Sequence, residues 1–120
     1  MPLTAADART FATHWIAAWN SHDLDAILSH YSPDAVLTSP AAAQLLGTPD
    51  GKVSGLTNLR AYFQRGLSAY PDLRFELKDV LAGLNSVVLY YTNQRGTQTA
   101  EYMEFGADGK VTRVVANYSA

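Results

Sequence analysis

The sequence contains no cysteine among its 120 residues. Disulfide bridges, thiolate nucleophiles and cysteine-ligated metal sites are therefore excluded, and the redox environment of the protein is left open. Long apolar runs are missing as well, since none approaches the roughly 20 residues that a membrane-spanning helix needs. The segment Met1–Thr4 has neither the basic nor the apolar region of a signal peptide, so we expect a cytoplasmic protein.

A strong excess of charge of one sign is also lacking. Nine basic and 11 acidic residues give a formal net charge of −2. This balance does not favour binding to nucleic acid or to an anionic membrane surface, and we expect neither as a partner. A hydrophobic fraction of 48% is ordinary for a globular protein, and 120 residues can form one core, so we predict a single domain spanning residues 1–120.

Apolar residues at helical spacing are present in the first half of the chain. Thr4 and Asp7 have the spacing of a capping box, and the apolar positions after them predict a helix over residues 5–20. Asp23 can cap a second, short helix. A third helix is predicted to begin at Ser54-Gly55 and to end before Pro71.

The segment between the second and third predicted helices is less regular. Residues 35–39 predict a short strand after the Pro33-Asp34 turn. Residues 41–53 contain good helix formers and the adjacent pair Leu45-Leu46. This segment fits either a short helical lid or interface element over a pocket, or a plain surface loop.

The second half of the chain has the features of a β-meander. Strands are predicted at residues 74–78, 87–94, 97–105 and 111–118. A turn at Arg95-Gly96 and another at Ala107-Asp108-Gly109 join the last three strands as hairpins. We therefore predict an α+β fold in which three N-terminal helices pack on a curved, mostly antiparallel sheet, forming an open cone with an internal apolar pocket.

A two-residue turn at Arg95-Gly96 would place Tyr90 opposite Glu101, on the same face as Met103. If that face points inward, the carboxyl of Glu101 is desolvated and its pKa rises toward the range useful for proton transfer. If it points outward, Glu101 is a solvated residue that pairs with Arg113 or Lys110. Strand alternation alone does not decide between these orientations.

The order and spacing of five segments resemble the nuclear transport factor 2-like superfamily. These segments are Trp15–Asn20, Asp23–Asp25, Tyr31–Pro40, Ser54-Gly55 with Leu59-Arg60, and Phe105–Val111. Within the superfamily the chain is most similar to the polyketide-cyclase (SnoaL-like) and ketosteroid-isomerase-like branch. The resemblance covers nearly the whole chain. It implies the fold more than the function, because this fold carries isomerases, cyclases, epoxide hydrolases and non-catalytic modules.

The resemblance also implies positions for the functional residues. Trp15 falls where the isomerases have a tyrosine that donates to the oxyanion, and Ser39 falls where they have the base aspartate. Ser39 has no useful basicity near neutral pH, so steroid isomerisation by the family mechanism is not expected. Glu101 falls where the isomerases keep a neutral carboxylic acid. Tyr31 and Tyr62 match aromatic positions that line the pocket in these relatives.

We predict that Glu101 transfers the proton and that Tyr31 and Tyr62 complete the catalytic group. The residues predicted to contact the substrate are Trp15, Trp19, Ser39, Phe63, Tyr90, Met103, Val114, Ala116 and Tyr118. The three histidines lack the spacing of metal ligands, so we expect no metal and no other cofactor.

Two functions from different classes are compatible with the sequence. The first is a cofactor-independent acid–base enzyme, of the isomerase, cyclase or hydrolase type, acting on a small, largely apolar carbonyl or epoxide-type substrate. The alternative is a non-catalytic module that binds a small apolar ligand or dimerises.

The predicted register also has a consequence for assembly. If Glu101 and Tyr90 face inward, the outer face of the sheet carries an apolar patch made of Val87, Leu89, Tyr91, Ala100 and Tyr102. Because soluble monomers rarely expose such a patch, we expect a homodimer joined through the outer sheet face.

Overall fold

Four helices pack on a six-stranded sheet in the computed structural model, which describes residues 3–119. The helices are α1 (Ala5–Ser21), α2 (Leu24–Leu28), α3 (Pro40–Leu46) and α4 (Leu56–Ala69). The strands are β1 (Tyr31–Thr38), β2 (Lys52–Ser54), β3 (Glu76–Ala82), β4 (Ser86–Thr92), β5 (Gln98–Phe105) and β6 (Val111–Tyr118). The α+β cone is thus confirmed, with one helix and one strand more than we predicted.

The sheet is mixed and open. Its strand order is β2-β1-β6-β5-β4-β3, so β2 and β3 form the two edges and do not pair with each other. Only the pairing of β1 with β6 is parallel among the described strands. The three C-terminal strands form the meander expected from the sequence, and they support one wall of the interior.

The two N-terminal helices begin at the predicted caps. The Thr4 hydroxyl accepts from the Asp7 backbone N–H at 3.0 Å, and the Asp7 carboxylate accepts from the Thr4 N–H at 3.2 Å. This reciprocal pair satisfies two of the backbone donors that every helix start leaves free. Asp23 caps α2 in a similar way by accepting from the backbone N–H of Asp25 and Ala26. No helix within residues 3–119 is long and apolar enough to cross a membrane.

Strand β1 begins at Tyr31, four residues before the predicted start at residue 35. The Pro33-Asp34 dipeptide predicted a turn, but the structure accommodates it as an irregularity in the parallel pairing with β6, where the register shifts between Tyr31 and Val36. The Ser32 hydroxyl donates to the Asp34 carboxylate at 2.9 Å within this irregular stretch.

The segment after β1 forms α3 and the short strand β2, so residues 41–53 are not a plain surface loop, and their role as a lid or an interface stays a prediction. Ser39 caps α3 by accepting from the Ala41 N–H at 3.1 Å, and Pro40 takes the first helical position. Gly51 brings the chain back against β1 with φ of +61°, and a Cβ atom there would lie 2.5 Å from the Ser39 carbonyl oxygen. A three-residue strand such as β2 is too short to show a periodic pattern, and the sequence did not predict it.

The β4–β5 hairpin differs from the prediction by one residue. Its loop contains three residues, 94–96, because the Asn93 N–H donates to the Thr97 carbonyl at 2.8 Å and the Gly96 N–H donates to the Asn93 carbonyl at 3.0 Å. Gly96 adopts the left-handed conformation, with φ of +77°. Three-residue hairpin loops with glycine at this position are a common turn type. The prediction of a two-residue turn at Arg95-Gly96 is therefore wrong.

The shift of one residue moves every side chain of β4 to the opposite face. Leu89, not Tyr90, pairs with Glu101, and Tyr91 pairs with Thr99. Tyr90 lies on the outer face and is 40% exposed. Its predicted place in the pocket is wrong for that reason.

The shift also changes the outer face on which the dimer prediction rested. Val87, Leu89 and Tyr91 are buried beneath the helices, with at most 2% of their surface exposed. Only Ala100 and Tyr102 of the predicted patch lie on the outer side, together with Val88 and Tyr90. The patch as predicted does not exist, and homodimerisation through this face stays a prediction.

The core contains a cluster of aromatic rings between α1, α4 and the inner face of the sheet. Trp15 and Phe75 stack with ring centroids 5.9 Å apart, and Phe75 and Tyr91 lie 4.5 Å apart. Trp19 contacts Phe63 edge to face at 4.9 Å. Burial of such large rings is a main source of stability in a domain of this size. The same rings also form part of the wall of an internal cavity.

Candidate functional site

A cavity of about 830 Å³ lies between the helices and the inner face of the sheet. Such a volume is typical of sites for small organic ligands. Most of its wall is aromatic or aliphatic, contributed by Trp15, Trp19, Leu37, Leu45, Tyr62, Phe63, Tyr70, Leu73, Phe75, Tyr91, Ala116 and Tyr118. Residues of α3 also border it, so this helix forms part of the wall.

Glu101 is the carboxylic acid of this cavity. It projects from the inner face of β5 and is 7% exposed. The Tyr91 hydroxyl donates to Glu101 Oε1 at 2.8 Å, while Oε2 has no hydrogen-bond partner. Of the two orientations compatible with the sequence, the inward one is observed. On the outer face Arg113 instead pairs with Glu104 at 3.0 Å.

Burial raises the pKa of Glu101 from its ordinary value of 4.5 to about 7. The cause is desolvation, which disfavours the charged carboxylate. The hydrogen bond from Tyr91 acts in the opposite direction and lowers the pKa, because it stabilises the charge. Near neutral pH the side chain therefore exists in both protonation states, as a general acid or base requires.

Several tyrosine hydroxyls lie around this carboxyl. Burial raises the pKa values of Tyr31, Tyr62 and Tyr118, and the negative charge of Glu101 raises them further. These hydroxyls stay protonated at neutral pH and are hydrogen-bond donors. Ser39 and Tyr118 have hydroxyl oxygens 3.3 Å apart, which links the cap of α3 to β6.

The structure brings most of the predicted site residues to the cavity. Those that border it are Trp15, Trp19, Ser39, Tyr62, Phe63, Glu101, Ala116 and Tyr118. Tyr31, Met103 and Val114 do not border it and lie in the buried core. The Tyr31 hydroxyl accepts the indole N–H of Trp15 at 3.0 Å, and Trp15 itself borders the cavity. Direct contact of Tyr31, Met103 or Val114 with a ligand is therefore a wrong prediction.

The sequence did not identify some of the bordering residues. Tyr91 is the most important of these, because it donates to Glu101, and the register error had placed it outside. Asn93, Thr99 and Arg95 also border the cavity. The sequence contains a signal for a three-residue loop, because Asn93 is followed three residues later by Gly96. A loop of that length would have predicted the correct face of β4.

Metal ligation has no support in the part of the chain that the structure describes. Within residues 3–119 no group of three or more histidine, aspartate or glutamate side chains is arranged so that it could hold a metal ion.

The raised pKa of Glu101 predicts how stability depends on pH. Below pH 4.5 the carboxyl is protonated in both the folded and the unfolded chain. Between pH 4.5 and about 7 the unfolded chain releases its proton while the folded chain keeps it. The contribution of Glu101 to the free energy of unfolding therefore falls by about 1.4 kcal/mol per pH unit, or about 3 kcal/mol across this window.

Urea unfolding of the wild type and of Glu101→Gln between pH 4 and pH 8 measures this contribution. The glutamine variant cannot titrate at this position, so its stability is expected to rise relative to the wild type as the pH increases. Parallel stability profiles would contradict the raised pKa.

Comparison with known proteins agrees with the fold seen in the structure. Residues 12–115 match the SnoaL-like domain. No protein of curated function matches the chain. A SnoaL-like protein of unknown function from Burkholderia thailandensis is 41% identical, with a TM-score of 0.97 and coverage of 100% of both chains.

Two further structures are more distant. AclR from Streptomyces galilaeus, a proposed hydroxylase, is 27% identical with a TM-score of 0.73, covering 97% of this chain and 91% of its own. A proposed isomerase of the SnoaL-like family from Agrobacterium tumefaciens is 15% identical with a TM-score of 0.74, covering 94% of this chain and 97% of its own. The similarity to the second is one of fold alone.

Proposed function

The chain belongs to the SnoaL-like family, and from this premise we propose that it is an acid–base enzyme acting on a small, largely apolar carbonyl or epoxide-type substrate. One observation carries the proposal: a buried carboxyl borders the cavity, and its pKa is about 7. Groups with such strongly shifted pKa values occur preferentially at functional sites. The proton transfers themselves need no cofactor, because Glu101 can accept and return the proton.

For a carbonyl substrate the steps are as follows. The Glu101 carboxylate takes a proton from the carbon next to the carbonyl group. The C–H electron pair forms the new C=C bond, and the carbonyl π electrons move to the oxygen, which becomes an enolate. A hydroxyl of Tyr62 or Tyr118 donates a hydrogen bond to that oxygen. The protonated Glu101 then returns the proton to carbon. For an epoxide, the protonated carboxyl would instead protonate the ring oxygen while a water molecule attacks the ring carbon and the C–O bond breaks. The Glu101 carboxylate then takes the proton that the attacking water loses, and the product is a vicinal diol.

The rest of the cavity suits such chemistry. Trp19, Phe63 and Phe75 provide apolar surface for the body of the substrate and reduce access of water to the carboxyl. In a medium of low polarity, hydrogen bonds to a developing negative charge are stronger than in water. The similarity to AclR, a proposed hydroxylase, supports an enzyme in preference to a purely structural domain.

A second candidate is the non-catalytic ligand-binding module. It is favoured by Ser39, which occupies the position where the isomerases have their base aspartate. It is also favoured because Glu101 is the single carboxyl among the described residues that border the cavity. A binding module would use the same aromatic walls without any proton transfer.

Deuterium exchange separates the two candidates. The protein is incubated in D₂O with α-tetralone, an apolar bicyclic ketone, and loss of the proton signal next to the carbonyl is followed by NMR. Exchange clearly faster than in buffer supports the enzyme. Binding of the ketone, seen as a change in tryptophan fluorescence, without exchange above the buffer rate would overturn the acid–base proposal and support the module.

A further inference from the structure

The two charged residues that border the cavity differ in their exposure to solvent. Among the described residues of its wall, only Glu101 and Arg95 carry a formal charge. Glu101 is buried on β5, whereas Arg95 is exposed on the 94–96 loop. The cavity therefore has an apolar interior with a carboxyl and a cationic rim.

The rim loop is held in place by Asn93, which is itself 6% exposed. Its side-chain oxygen accepts from the backbone N–H of Arg95 at 3.0 Å and of Thr97 at 3.3 Å. Its amide donates to the Thr99 hydroxyl at 2.9 Å. These bonds order the backbone at Arg95 without using the guanidinium.

The guanidinium has no ion-pair partner within residues 3–119. All three ion pairs of the described chain involve other residues: Arg60 with Asp25, Lys78 with Glu76, and Arg113 with Glu104. A guanidinium presents several N–H donors in one plane, an arrangement that matches a carboxylate. Arg95 is thus free to bind an anion at the cavity mouth.

The strand geometry gives the length of the wall between the 94–96 loop and Glu101. Thr97, Thr99 and Glu101 follow one another along the wall, from the rim inward. At about 3.3 Å per residue, the four steps from Thr97 to Glu101 span about 13 Å. A ligand that reaches both ends needs an apolar body of about this length.

We propose that the substrate is an amphiphilic organic acid, whose ring-containing apolar body fills the aromatic interior while its carboxylate binds Arg95 at the rim. This proposal rests on the proposed function, since it places the reacting carbon near Glu101. Arg95 is then a specificity-determining residue that selects acids over neutral compounds of the same shape and sets their orientation.

A matched pair of probes tests the inference. 4-(Pyren-1-yl)butyrate and 4-(pyren-1-yl)butanol have the same apolar body, and only the first carries a charge. Either one in the cavity quenches Trp15 and Trp19 by energy transfer, so the dissociation constants follow from fluorescence titration. Arg95→Gln is expected to weaken the acid about fivefold, as the loss of a well-formed exposed ion pair would, and to leave the alcohol unchanged.

Two controls make the result specific. Arg9→Gln removes the same charge from the exposed side of α1, away from the cavity, and is expected to leave both affinities unchanged. In the wild type, 1 M NaCl is expected to weaken the acid and not the alcohol, because salt screens an exposed ion pair.

Three outcomes would overturn the proposal: equal weakening of both probes by Arg95→Gln, no weakening of the acid, or no binding of the acid to the wild type. None of them bears on proton transfer by Glu101, which the deuterium exchange of a neutral ketone tests separately. Failure of the anion site and failure of the acid–base function are therefore distinguishable.

Discussion

Replacing Trp15 by alanine is expected to lower the free energy of unfolding by about 3 to 5 kcal/mol, as truncation of large buried aromatic residues does. Trp15 is 2% exposed and packs against Phe75 and Tyr91, with ring centroids 5.9 and 5.6 Å away. Its indole N–H also donates to the Tyr31 hydroxyl at 3.0 Å. The substitution removes these contacts and leaves the Tyr31 hydroxyl without this partner in the core.

Urea unfolding measures this loss. His14→Ala, on the exposed side of the same helix, is the matched control and is expected to change stability by no more than about 0.5 kcal/mol. A loss below about 1 kcal/mol for Trp15→Ala would contradict the placement of this face of α1 in the core.

Replacing Glu101 by glutamine is expected to slow enzyme-catalysed proton exchange by about 10²- to 10⁴-fold, the usual contribution of a general acid or base. Glutamine has nearly the same shape, and its side-chain oxygen can still accept from the Tyr91 hydroxyl. It cannot take up or release a proton in the neutral range. The fold should therefore persist while the chemistry is lost.

The α-tetralone exchange rate, measured beside the circular dichroism spectrum, tests this expectation. Glu104→Gln is the matched control, because Glu104 lies on the outer face of β5 in an ion pair with Arg113. It is expected to leave the rate unchanged. Wild-type exchange in Glu101→Gln would end the proposed role of Glu101.

Three of the four helices were predictable because their signals are local. The Thr4–Asp7 capping box and the apolar spacing through Trp15 and Trp19 are contained within about five turns of one helix, and the structure agrees with both. The general α+β architecture followed from the order of such segments. Local periodicity thus accounts for most of the fold.

The register of β4 was not predictable from alternation alone. In the run Val87–Thr92 every residue except the last is apolar or aromatic, so both faces look buried and the turn decides which one is. Asn93 and its side-chain bonds close the loop one residue earlier than a two-residue turn would. That shift exchanges Tyr90 for Tyr91 at the site.

Part of the site depends on contacts between distant segments. The pairing of the Ser39 and Tyr118 hydroxyls joins residues 79 positions apart, and no local pattern indicates it. The hydrogen bond from the Trp15 indole to the Tyr31 hydroxyl likewise joins distant residues, and Tyr31 lies in the core and does not border the cavity. The place of Glu101 at the cavity was nevertheless predicted, because the resemblance singled this residue out before its neighbours were known.

The most direct test of the account is the pKa of Glu101 itself. The chain has only three glutamates, at positions 76, 101 and 104, so ¹³C labelling of glutamate gives three side-chain carboxyl resonances, and Glu101→Gln assigns the one of interest. Titration is expected to give a pKa of about 7 for Glu101, and α-tetralone in the cavity should shift it. A pKa near the ordinary value of 4.5, unchanged by the ketone, would contradict both the buried carboxyl and the acid–base function built on it.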